Sequence, residues 1–211
     1  MPVVPLGPAR AELVVVNSRF IASLSPASSA EEARAFIAAV RAEFPDARHH
    51  VPAFVIGGGK SCVEYCSDDG EPSGTSGRPL LAVLKGSGLG DVAVVVTRYF
   101  GGTLLGTGGL VKAYSEAGRR VLALVRRAET VETRRLEVPL PYHLYERFRI
   151  LARESGAAIA DERFEEIVRI VLEVPEDAFA SFSGGLAELS AGSVPARELS
   201  RGSMRRPLDQ A

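Results

Sequence analysis

The chain has 211 residues, 46% hydrophobic and 24% charged, the balance of a folded globular protein with material for one large core or two small ones. A formal net charge of -1 supplies no global basic field, so any contact with nucleic acid must rest on a local patch. Two cysteines cannot build a disulfide framework, no apolar run approaches the roughly 18 to 20 residues of a membrane span, and the N-terminus lacks the pattern of a signal peptide; the expectation is a cytoplasmic protein without membrane contact.

Met1 to Ala9 holds three prolines and reads as a frayed lead-in. Glu12 to Leu24 suits a first strand, with Asn17-Ser18 as a kink or turn. Ser28 or Ser29 caps a helix whose early Glu31 and Glu32 favour the positive end of the dipole. Ala33, Phe36, Ile37, Val40 and Phe44 give it one apolar face, and Pro45-Asp46 stops it. Val51 to Ile56 and Ser61 to Ser67 read as two strands joined through Gly57-Gly58-Gly59-Lys60 in a hairpin. Gly70 to Gly77 is too rich in Gly, Pro and Ser to be regular, and Pro79 fits the first turn of a helix from about Gly77 to Lys85. Val92 to Thr97 is a near-continuous β-branched run, expected to be a strand buried on both faces. A helix from about Gly108 to Val125 follows.

Arg126 to Thr133 reads as a linker. Beyond it come a strand (Arg134 to Leu140), a helix (Tyr142 to Ser155), two strands (Ala157 to Phe164 and Glu166 to Val174), a second helix from Pro175 to about Ala191, and a last strand (Ser193 to Ser200). That order is the ferredoxin-like βαββαβ arrangement. The fold class is therefore α+β in two domains, residues 1–128 and 129–204, with a flexible tail over 205–211 and no regular structure expected from about Gly202.

Chemistry-bearing residues concentrate between 68 and 114. Asp68, Asp69 and Glu71 are hard oxygen donors that could hold magnesium, although acids in a Gly-rich turn more commonly bond their own backbone. Arg98-Tyr99-Phe100 sits where the buried strand emerges. Arg98 either pairs with Asp68 or Asp69, locking two loops together, or grips phosphate while Tyr99 or Phe100 stacks on a base. Gly106-Thr107-Gly108-Gly109 opens a helix, where exposed N–H groups can face an anion with Lys112 one turn on; close helix–sheet packing would need glycine equally. No Walker A spacing and no Gly-x-Ser-x-Gly elbow are present, and His49, His50 and His143 stand at no sequence-evident distance from Ser73, Thr75 or Ser76, so no catalytic residue is assigned. Cys62 and Cys66 read as packed thiols, not as a zinc site.

Asp68-Asp69-Gly70-Glu71-Pro72-Ser73-Gly74-Thr75, Gly77-Arg78-Pro79, Thr97-Arg98-Tyr99-Phe100-Gly101-Gly102 and Leu105-Gly106-Thr107-Gly108-Gly109-Leu110-Val111 with Ala113-Tyr114 together resemble the YigZ/IMPACT family. The likeness covers most of residues 10–125, and the tail is similar to the C-terminal domain of the bacterial members. The resemblance implies an N-terminal domain folded like the second domain of ribosomal protein S5 and like domain IV of elongation factor G, and a C-terminal domain like domain V of that factor. Both point to translation and RNA. Eukaryotic relatives regulate translation through an additional N-terminal domain for which 211 residues leave no room, so that pathway is not expected here. Leu104 departs from a position that is more often basic in relatives.

The expected function is that of a non-enzymatic, translation-associated regulator binding RNA or a ribosomal surface. Arg78, Arg98, Tyr99, Phe100, Gly106, Thr107, Gly108, Gly109 and Lys112 would be the contact residues, and Asp68, Asp69 and Glu71 braces or metal ligands. No cofactor beyond a possible magnesium ion, and no DNA specificity, are expected. The alternatives are a nucleotide- or phosphate-binding protein, or kinase-like enzyme, using Gly106 to Gly109, and a protein-docking module.

Overall fold

The β-branched run from Val92 to Thr97 is the centre of the N-terminal sheet, and every residue in it is fully buried. It lies in β6 (Val92–Tyr99), paired antiparallel on one side with β3 (Ser18–Pro26) and on the other with β4 (His49–Gly58). β2 (Ala9–Val15) and β5 (Ser61–Cys66) complete the order β2-β3-β6-β4-β5. Strand alternation sends Val92, Val94 and Val96 into a core shared with α2 (Gly77–Gly86) and α3 (Gly106–Ala123), while Ala93 packs with Phe54 and Ala33 of α1 (Ala30–Glu43). A strand with helices on both faces has no solvated side, so its sequence shows no polar alternation. The computed structural model describes residues 3–58 and 61–208.

Local chemistry sets the elements around this sheet. Ser29 Oγ accepts the Glu32 N–H at 3.1 Å, and Glu32 Oε2 accepts from Ser28 N at 2.7 Å, a reciprocal cap. The stretch from Glu12 to Leu24, expected as a strand with a kink or turn at Asn17-Ser18, is a hairpin that turns one residue earlier, at Val16-Asn17. Val16 and Asn17 take φ of 45° and 65°, which closes the Val15–Ser18 pair with the tight turn that suits strand twist. The β4–β5 hairpin is present as expected, although residues 59–60 of its connection lie outside the described residues.

Two expectations fail at the ends of this unit. Residues 3–5 are not frayed: β1 (Val3–Pro5) pairs with Arg127–Glu129, and Val4 is buried. The expected linker is the start of β7 (Arg127–Leu140), because it supplies the partner for β1. The chain divides into two units, residues 3–129 with 207–208, and residues 130–206, so the boundary falls one residue beyond the expected one.

In the second unit, β8 (Ala158–Phe164), β9 (Val168–Pro175), β7 and β10 (Arg197–Pro207) form a sheet in the order β8-β9-β7-β10. With α4 (Tyr145–Glu154) and α5 (Phe179–Ser190) this is the βαββαβ arrangement expected from the element order. Leu136, Val138 and Leu140 alternate into a core with Ile170, Leu172, Phe148 and Phe182. The flexible tail is a correction: β10 continues to Pro207, and Leu208 N donates to Arg127 O at 2.9 Å. Residues 209–211 lie outside the described residues. Among the described residues no helix is long and apolar enough to cross a membrane.

Candidate functional site

β6 delivers Arg98 and Tyr99 to opposite faces of the sheet. Arg98 shares the α2/α3 side with Val94 and Val96, and is 5% exposed. Its Nη1 donates to Glu71 Oε1 at 2.7 Å, and its Nη2 to Ser18 Oγ at 3.3 Å. The guanidinium lies over Phe20 at 5.5 Å and Phe100 at 5.6 Å from the ring centroids. Tyr114, from the third turn of α3, donates its hydroxyl to the same Glu71 oxygen at 2.8 Å and packs edge-on against Phe20. Burial, followed by the Glu71 carboxylate, pushes this phenol far above its ordinary pKa. One buried carboxylate thus ties the 68–77 loop to β6 and α3.

The other two acids hold the loop's own path. Asp68 Oδ1 accepts Ser76 N, Gly77 N and Ser76 Oγ at 3.1, 2.8 and 2.8 Å, and its Oδ2 accepts Gly74 N at 2.8 Å. Burial raises the Asp68 pKa, but these four donors outweigh it and the net shift is downward. The same bonds cap α2, whose N-cap residue Ser76 makes no cap bond of its own. Asp69, at φ 45°, takes the Arg41 guanidinium on one oxygen and His50 N, at 2.7 Å, on the other.

Loop, strand end and helix start enclose a cavity of about 390 Å³. Glu71 and Arg98 contribute its polar lining, and Pro72, Phe100, Leu104, Leu105 and Leu110 its apolar one, with Arg48, His49, Gly106 and Thr107 around them. Phe100 is 46% exposed and Leu104 86%. α3 begins here without a side-chain cap and without an acid in its first turn, so the positive end of its dipole is uncompensated.

The sequence pattern of the Impact N-terminal domain matches residues 16–122, about half of the chain, and a domain of unknown function, DUF1949, matches residues 138–193. The chain belongs to the IMPACT family. It is 38% identical over 192 residues to the IMPACT family member YigZ of Escherichia coli, covering 90% of this chain and 94% of that protein. It is 36% identical over 187 residues to the IMPACT family member YvyE of Bacillus subtilis, covering 89% and 86%. The crystal structure of a hypothetical protein, 38% identical, superposes with a TM-score of 0.61 over 94% of this chain and 97% of the other.

In this IMPACT family member the motif residues divide into groups. Glu71, Arg98, Phe100, Gly106 and Thr107 meet at the cavity. Arg78, Tyr99, Gly108, Gly109, Lys112, Asp68 and Asp69 do not line it. Tyr99 sits under Arg19 on the far face, Arg78 is exposed in the first turn of α2, and Lys112 is exposed on α3. Two expectations are corrected. Arg98 pairs with Glu71, not with Asp68 or Asp69, and being buried and neutralised it has no free charge for a phosphate. The three acids are dispersed among protein donors, so they form no metal cage; among the described residues no group of three or more His, Cys, Asp or Glu side chains is placed to hold an ion. Packing does not explain Gly108, where an added Cβ would meet nothing within 4 Å. It does explain Gly101, whose Cβ would lie 2.1 Å from the Asn17 carbonyl carbon in the β2–β3 turn, and Gly118, where Leu80 and Val83 of α2 close in. Tyr114 belongs to the family motif and His49 was weighed only as a catalytic base; neither, nor Arg48, was assigned to the site, because a strand entry and an apolar helix face do not show which loop closes over them.

Proposed function

We propose that this chain binds single-stranded RNA, free or presented on a ribosome, through the cavity face of its first unit, and acts in translation without chemical catalysis. The observation that carries this reading is the cavity itself, where a half-exposed aromatic wall lies beside the open N-terminus of α3 and the exposed Arg48. RNA that is not base-paired offers this combination of unstacked bases and phosphates. The translation setting rests on membership of the IMPACT family, which implies domains folded like those of S5 and of elongation factor G. The hydroxyls of the motif support a binding role: Thr75 Oγ1 donates to Pro72 O, and Ser76 Oγ to Asp68, so both brace the loop. Hydrogen exchange of the full chain with and without single-stranded RNA at low salt tests the reading. Protection is expected at residues 48–49, 70–74 and 98–108; protection confined to other residues, or none, contradicts it.

A second reading, a nucleotide or phosphate binder using Gly106 to Gly109, is favoured by the uncapped helix and by Gly106 at φ 68°. It would operate without magnesium held by Asp68, Asp69 or Glu71, since those oxygens serve protein donors. A rise in melting temperature with millimolar ATP or GTP supports it, and no shift counts against it.

A further inference from the structure

We propose that the cavity holds one unpaired nucleobase of that RNA, stacked on Phe100 and read at its edge by His49; this deepens, and rests on, the RNA-binding reading above. His49 Nδ1 lies 2.9 Å from Asp69 O. A carbonyl oxygen only accepts, so Nδ1 carries the proton, and in the one neutral tautomer this allows Nε2 keeps its lone pair. The orientation is imposed from behind. Asp69 is pinned by Arg41 and by His50 N, and Gly70 leaves room for the ring, since a Cβ there would stand 3.4 Å from Nδ1. His49 therefore lines the cavity as an oriented hydrogen-bond acceptor.

The remaining walls define what such an acceptor would meet. Phe100 packs over the Arg98 guanidinium and is still 46% exposed, and Pro72, Leu104, Leu105 and Leu110 extend the apolar surface around it. Two arginines against one carboxylate leave the lining with one net positive charge, from Arg48, which has no ion-pair partner among the described residues. The uncapped start of α3 adds to it. A flat apolar wall, a fixed acceptor and a cationic rim complement a ligand with a flat ring, donor groups on its edge and an anionic tether. All four RNA bases carry N–H donors, so His49 distinguishes a base from an apolar plug and not one base from another. The volume, about 390 Å³, lies at the small-ligand end of the range for pockets of about 300–1,000 Å³, enough for one nucleotide and not for a stacked run.

The test is fluorescence anisotropy of the full chain with a short labelled single-stranded RNA, and with the same backbone carrying abasic sites. The native chain is expected to bind the base-bearing strand at least about fivefold more tightly. Phe100→Ala should abolish that preference and His49→Ala reduce it, each variant still folded at the assay temperature; Phe100→Leu, which keeps the apolar bulk, substitutes if Phe100→Ala does not fold. Equal affinity for both strands overturns the base pocket while leaving RNA binding intact. A preference that survives Phe100→Ala also overturns it, by placing the base elsewhere. Binding of neither strand overturns both readings and leaves the face to a protein partner.

Discussion

Glu71 and Arg98, 27 residues apart in the chain, meet at 2.7 Å with side chains only 3% and 6% exposed. A charge pair so enclosed is a lock: removing one partner strands the other in a low dielectric. Arg98→Ala and Glu71→Ala should each destabilise the first unit by about 3–5 kcal/mol. Replacing both, as Glu71→Leu with Arg98→Met, should cost less than the sum of the single changes. Thermal unfolding of the three variants checks this, and additive losses would mean the two residues act independently.

Tyr114 completes the lock. Tyr114→Phe keeps the edge-on contact with Phe20 but deletes a hydrogen bond to a carboxylate, a loss of about 1.5–3 kcal/mol. Its raised pKa gives the pH dependence a definite sign. The neutral phenol is favoured in the fold, so its contribution is complete below the unfolded value of about 10 and declines as pH rises above it. The native chain should therefore lose stability above about pH 10 more steeply than Tyr114→Phe, as followed by denaturant midpoints across pH.

Asp68 behaves in the opposite sense. Its folded pKa is lowered, so its stabilisation is present above the unfolded value of about 3.9 and is lost as pH falls through the folded one. At neutral pH Asp68→Asn should be less stable than the native chain, and the gap should narrow below about pH 4. A gap that is constant with pH would mean the carboxylate's charge is immaterial to the cap of α2.

Two glycines of the family motif should respond oppositely to alanine. At Gly101 a Cβ would collide with backbone of the β2–β3 turn, so Gly101→Ala should displace that turn and destabilise the unit strongly. At Gly108 there is open space within a helix, and Gly108→Ala should stabilise by about 0.4–1 kcal/mol. If Gly108→Ala also weakens RNA binding, the open space belongs to the ligand.

What could be read in the sequence was what neighbouring residues determine. The Val92 to Thr97 run, a serine cap at Ser28 or Ser29 and the element order of the second unit all follow from local pattern and were expected where they are found. β1 was hidden because its partner, Arg127–Glu129, lies far along the chain and each segment alone resembles a linker. The convergence of the 68–77 and 98–107 loops was foreseen from motif density, but not which acid Arg98 would select. Asp68 and Asp69 are occupied by nearby N–H groups and side chains, leaving Glu71, two residues on, to reach inward. His49 and Arg48 were not placed at the site, since strand entry says nothing of what loop will close over it.

The most direct measurement is the salt dependence of binding between the full chain and an unstructured single-stranded RNA, for the native protein and Arg48→Ala. Affinity should fall linearly on logarithmic axes as salt rises, with the slope reduced by about one phosphate contact, roughly 0.7, in Arg48→Ala. No binding at low salt, or a slope identical in the variant, would contradict it.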